Sequence, residues 1–108
     1  MMDFKLFLEN FMNDLKSQSL ALEEDIRGDL LTDGLDFVHK TRADLEKWSG
    51  QLAAGELSSD EFKWLLLAKK DLAEMETLKQ KGLTLARIDR YKTAMSQSVL
   101  NAVFKTLG

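Results

Sequence analysis

The sequence predicts an all-α fold, and three observations carry that prediction. No proline occurs among the 108 residues, whose commonest types are helix formers, and β-branched residues are few. Apolar residues recur at steps of three, four and seven through most of the chain. A complete helix-start signature also stands at the centre, in Gly55-Glu56-Leu57-Ser58-Ser59-Asp60-Glu61-Phe62. There Ser58 is placed as N-cap with Glu61 as its return partner, and Leu57 and Phe62 form the matching hydrophobic staple. Gly55 suits the end of the preceding helix.

The first helix is expected from Phe4 to about Arg27, with Phe4, Leu8, Phe11, Leu15, Leu22 and Ile26 as its stripe. Phe7 and Met12 add a second apolar flank, and Gln18 and Ser19 interrupt the pattern. A break follows over 27–34, where Gly28, Gly34 and several capping residues cluster. The apolar phase shifts there, from positions 8, 15 and 22 to Leu31, Val38, Leu45 and Leu52.

That seven-residue series, with Leu35 and Trp48, predicts a second helix from Leu31 or Leu35 to Ala54. A third begins at Ser59 and carries Phe62, Leu65, Leu66, Leu72, Met75 and Leu78 as far as Gly82. Gly82 fits a left-handed C′ position, with Leu78 and Leu83 as the accompanying apolar contact. Thr84 is placed to cap a fourth helix carrying Ile88, Tyr91, Met95, Val99 and Val103, widened near its end by Leu100, Phe104 and Leu107.

Four such segments in a single domain, residues 1–108, predict an up-down helical bundle. The alternative is a two-helix hairpin about 70 Å long, from about 1.5 Å of rise per residue, which would bury its stripe only by dimerising into a four-helix bundle. Both contain the central turn. Trp48 and Trp64 stand at similar distances from it, so an aromatic cluster with Phe62 is expected there.

Composition excludes several function classes. The absence of cysteine rules out disulfides and thiol chemistry. Only one histidine occurs, so Asp36-Phe37-Val38-His39 cannot complete the paired carboxylate–histidine site of di-iron bundles. The run from Asp29 to Lys40 departs from a calcium loop at Leu31 and at Lys40. No nucleophile–base pair can be assembled and no phosphate-binding glycine loop is present, so catalysis, cofactors and metals are not expected. Arg27-Gly28-Asp29 spells an adhesion tripeptide, which three common residues produce by chance.

Net charge is −3 and unevenly spread. Residues 1–62 hold 14 acidic and 6 basic side chains, whereas 63–108 hold 4 and 9. The cations of the second part are scattered and the isoelectric point is near 5.1, which argues against nucleic acid. Two halves that pack on each other with complementary charge explain the asymmetry. The first residues lack a basic region and a continuous apolar run, and no segment has the length of a membrane span, so a cytoplasmic location is expected.

Trp48-Ser49-Gly50, in a cysteine-free chain of this length, resembles the motif of the WXG100 family of small secreted helical hairpins. The resemblance implies a dimeric hairpin exported by a specialised secretion system. The chain departs from that pattern in two places. The strongest turn lies at Gly55–Ser58, and Tyr91 is followed four residues on by Met95 where the family's export signal has an acid.

The function expected is contact: a helical interaction or structural module that self-associates, as a homodimer, or binds another helical protein. The apolar excess at Phe4, Phe7, Leu8 and Phe11, and at Phe104 and Leu107, is the expected interface, at the end where the termini meet. A peripheral membrane binder using the N-terminal amphipathic segment is the alternative, although Lys5 is the only cation in the first fifteen residues.

Overall fold

Asp3 accepts a hydrogen bond from the Leu6 N–H at 3.2 Å and starts the first helix, α1 (Phe4–Ser19). The computed structural model describes residues 2–108, and Met1, part of the expected domain, lies outside the described residues. Seven helices occur among the described residues and no strand. After α1 come α2 (Glu24–Lys40), α3 (Arg42–Ala53), α4 (Ser59–Ala68), α5 (Lys70–Ala73), α6 (Glu76–Gln80) and α7 (Leu85–Leu107).

The first break lies at 20–23, not at 27–34. The Ser19 hydroxyl donates to the Lys16 carbonyl at 2.7 Å, and Arg27 Nε donates to the Leu22 carbonyl at 3.1 Å. Side chains therefore satisfy backbone carbonyls where α1 ends. Gly28 and Gly34 lie inside α2 instead of forming a turn. The expected second helix is also divided. Thr41, with its hydroxyl on the Phe37 carbonyl at 2.8 Å, leaves helical geometry and separates α2 from α3. Val38 and Leu45 are fully buried across this kink, while Leu31 and Leu52 are partly buried.

The expected third helix is three pieces. Lys69 and Met75 adopt extended backbone, with ψ of 130° and 140°. At Lys69 this brings Nζ to Asp44 Oδ2 at 2.5 Å. Near Met75 it buries that side chain and turns the Thr77 N–H toward Asp33. Tertiary contacts override the helix propensity of this stretch. Gly82 has the left-handed φ of +55° expected of it, and Thr84 caps α7 by accepting from the Arg87 N–H at 3.3 Å.

Cross-links set the directions. Asn10 pairs with Thr106 and Asp14 with Asn101, so α1 and α7 are antiparallel. Asp44–Lys69, Asp33–Thr77 and Asp29–Lys81 run the α4–α6 arm antiparallel to α2–α3. α2 lies parallel to α7, with Asp25 on Arg87 and Gly34 against Met95. The result is an up-down bundle whose segments are broken helices. Its extents of 39 × 23 × 21 Å exclude a 70 Å hairpin, and its radius of gyration of 13.2 Å is that of a folded domain of about this length.

Phe7, Phe11, Leu15, Ile26, Leu30, Phe62, Leu66, Leu72, Tyr91 and Met95 are fully enclosed in one apolar cluster. The charge asymmetry becomes packing. Arg87 and Arg90 meet Glu23 and Asp25, Lys81 meets Asp29, and Lys69 meets Asp44. A backbone hydrogen bond, followed by Arg90 and Arg87, holds the Glu23 carboxyl below the usual range. These pairs are partly solvent-exposed and fix orientation more than they stabilise.

Candidate interaction surface

The turn that presents α4 is built from local chemistry. Gly55 takes φ +78°, the Glu56 N–H donates to the Gln51 carbonyl at 2.8 Å, and the Gly55 N–H to the Leu52 carbonyl at 3.2 Å, which closes α3 with a Schellman motif. Ser58 Oγ then accepts from the Glu61 N–H at 3.1 Å, and Glu61 Oε1 accepts from the Ser58 N–H at 3.0 Å. These bonds hold the Glu61 carboxyl below its ordinary range. The capping box thus fixes both where α4 starts and its rotation.

That rotation decides which side chains reach the core. Phe62 and Leu66, four residues apart, are fully buried, and the Phe62 ring meets Trp48 edge to face at 6.0 Å. Trp64 follows Phe62 by two residues, roughly 200° around the helix. It therefore points outward and is 68% exposed. Only Trp48 and Phe62 form the aromatic pair at the closed end; Trp64 does not join it. Beside Trp64, Leu57, Glu61 and Leu65 line a shallow depression of about 170 Å³. Leu67 on the same helix is also exposed.

The interface expected from the sequence divides. Phe4, Phe7 and Phe11 are buried in the chain's own core. Phe7 stacks on Phe4 at 5.6 Å and on Phe11 at 5.9 Å, and the Arg42 guanidinium covers Phe4 at 4.2 Å. The reason is that α1 lies between α2 and α7 and buries a wide face. The fully enclosed stripe is Phe7, Phe11 and Leu15, while Leu8 is only partly covered. Phe104 and Leu107 do remain exposed, as does Leu6. In the folded chain Phe4, Phe7 and Phe11 are core residues.

The other motifs have structural partners. Asp36 pairs with Lys40 at 2.9 Å, and the exposed His39 lies edge-on to Phe4. Arg27 closes the α1–α2 turn, and Asp29 holds Lys81. Trp48-Ser49-Gly50 lies within α3, ahead of the turn. Among the described residues no group of His, Cys, Asp and Glu side chains is arranged to hold a metal ion, and no helix is long and apolar enough to cross a membrane.

Distance from the turn puts Trp64 level with Trp48, but helical phase decides which way it points. The signal was present. Phe62 and Leu66 define the buried direction, and Trp64 lies opposite. The chain matches no protein-family profile, no curated protein and no solved structure.

Proposed function

We propose that this protein is a helical interaction module that pairs with a second copy of itself through the outward face of α4, without catalysis. The exposure of Trp64 carries this reading. Tryptophan has the largest apolar surface of any side chain and is the residue most enriched in interface hot spots. Here one of the chain's two tryptophans is enclosed and the other is 68% exposed, beside Leu57 and Leu65.

Charge favours a second copy as the occupant. The first turn of α4 is acidic, with Asp60 and Glu61, and Lys70 just beyond its last turn has a side chain that is 84% exposed and only loosely paired with Glu74 at 3.6 Å. A two-fold axis near Trp64 would set two α4 helices antiparallel. The acidic end of each copy would then face the basic end of the other, the self-complementary pattern of an isologous contact.

Light scattering on the purified chain tests the proposal. The expected mass is twice 12.3 kDa, and Trp64→Asp should halve it while leaving the helical circular dichroism unchanged. A monomeric parent chain, or a Trp64→Asp variant that stays dimeric, would refute it.

A further inference from the structure

We infer that residues 69–81 form a strap that opens as a unit from an otherwise intact bundle, with Asp33 as its latch. The strap is built from the two shortest helices among the described residues. It contains a helix of four residues and one of five, joined by extended backbone at Met75, and neither has a side-chain cap. The backbone hydrogen bonds at its helix ends close single turns: Leu72 to Lys69 at 3.2 Å, Ala73 to Lys69 at 3.4 Å, Glu74 to Lys70 at 3.0 Å, Met75 to Leu72 at 3.4 Å, Lys79 to Met75 at 3.2 Å and Lys81 to Thr77 at 3.2 Å. Nucleating such short helices is unfavourable, so the strap takes its order from what it docks on.

The docking is concentrated in a few contacts. Leu72 and Met75 are buried as plugs, and Met75 shares a cleft wall with Phe37 of α2. Lys69 is tied to Asp44 at one end, and at the other Lys81 is tied to Asp29 at 2.7 Å and to the Asp25 carbonyl at 3.0 Å. The lysine pairs are partly solvated and weak. Between them a single carboxylate oxygen does the rest. Asp33 Oδ2 accepts from the Thr77 N–H at 3.2 Å and from the Tyr91 hydroxyl at 2.5 Å. Tyr91 and Thr77 are both buried, so this node is shielded from competing water.

The node also sets the order of release. The Tyr91–Asp33 bond joins α7 to α2, and the strap meets this node only at Thr77. Breaking the Thr77–Asp33 bond frees the strap while α1, α2 and α7 stay packed, which makes the opening sub-global. The open form exposes Leu72, Met75 and the Phe37 side of α2, an apolar surface distinct from the α4 face.

Hydrogen exchange read by mass spectrometry on the full chain tests this. Amides of 70–81 should exchange at least roughly tenfold faster than those in the middle of α1 and α7, through a cooperative opening. Asp33→Ala should accelerate the 70–81 amides by roughly a further tenfold or more, from loss of a charge-assisted hydrogen bond. Tyr91→Phe, which keeps the latch, should leave the ratio of strap to α7 exchange within about twofold of the parent. Equal protection of the strap and of α1 in the parent chain overturns the inference, and that measurement stands even if Asp33→Ala fails to fold. Equal acceleration everywhere in Asp33→Ala also overturns it.

Discussion

Gly34 and Leu15 touch so closely that a β-carbon on Gly34 would stand 2.6 Å from Leu15 Cδ2. Met95 Cε and Phe11 Cζ would lie at 3.1 and 3.2 Å, so α1, α2 and α7 converge on this one position. Gly28, in the same helix, has nothing within 4 Å of the same virtual atom. The two glycines should respond oppositely to alanine. Gly28→Ala should stabilise by about 0.5–1 kcal/mol, because alanine loses less entropy in a helix. Gly34→Ala gains the same propensity but overpacks an enclosed site at a cost of about 1–3 kcal/mol, leaving a net loss of about 1 kcal/mol. Urea midpoints moving the same way for both would contradict the convergence.

Ser58→Ala should lower stability by about 1 kcal/mol, because it removes the acceptor for the Glu61 N–H. Ser59→Ala, one residue inside the helix, should be close to neutral. Glu61 adds a pH signature. Its folded-state carboxyl is held low by its bonds to Ser58, so its contribution is present above the ordinary carboxylate range and fades as pH falls through the lowered value. Glu61→Gln should therefore flatten the acid limb of a stability–pH curve. An unchanged acid limb would show that the return bond of the capping box contributes nothing.

Leu45 has no exposed surface, and Leu52 in the same seven-residue series is only partly covered. Leu45→Ala should cost roughly 2–5 kcal/mol, and Leu52→Ala about half of that or less. Equal losses in denaturant titrations would mean that α3 is rotated relative to the arrangement described.

Tyr91 should give the protein an alkaline limit. Burial first, and then the bond to Asp33, push its phenol far above the ordinary value of 10.0. The sign follows from which state keeps the proton. Above about pH 10 the unfolded chain releases it and the folded chain does not, so stability that is fully present below pH 10 falls as pH rises. Tyr91→Phe should be less stable than the parent at pH 8, since Asp33 loses its hydroxyl donor, yet lose less between pH 8 and pH 11. Parallel losses in the two chains over that interval would show that Tyr91 ionises freely in the fold.

The boundaries that were legible in the sequence are the ones made by neighbours in the chain. Gly55, Ser58 and Glu61 close one helix and open the next with their own backbone and side chains, and Gly82 and Thr84 do much the same. The breaks at Thr41, Lys69 and Met75 left no comparable mark. Lys69 leaves the helix where it meets Asp44, and the chain near Met75 turns where Thr77 meets Asp33, partners 25 and 44 residues away in the chain. The break after Ser19 was half visible, as an interruption at Gln18 and Ser19, but the nearby glycines suggested a later position. Gly34 looked like a turn residue because a close helix–helix approach and a turn ask for the same side chain. For the candidate surface the aromatic excess of α1 was legible, but not its destination. Phe7 and Phe11 are core because two other helices lie on either side of α1, and no single-helix pattern encodes that.

The most direct test of the contact surface uses Trp64 itself. In Trp48→Phe, Trp64 is the sole tryptophan, and its acrylamide quenching can be followed as protein concentration rises. At high dilution the 68% exposed ring should be quenched freely. If two copies pair through α4, the quenching constant should fall severalfold as the mass doubles, and Lys70→Glu should move that transition to higher concentration. A quenching constant that stays high and flat while the chain dimerises would place the interface elsewhere and contradict the proposed role of Trp64.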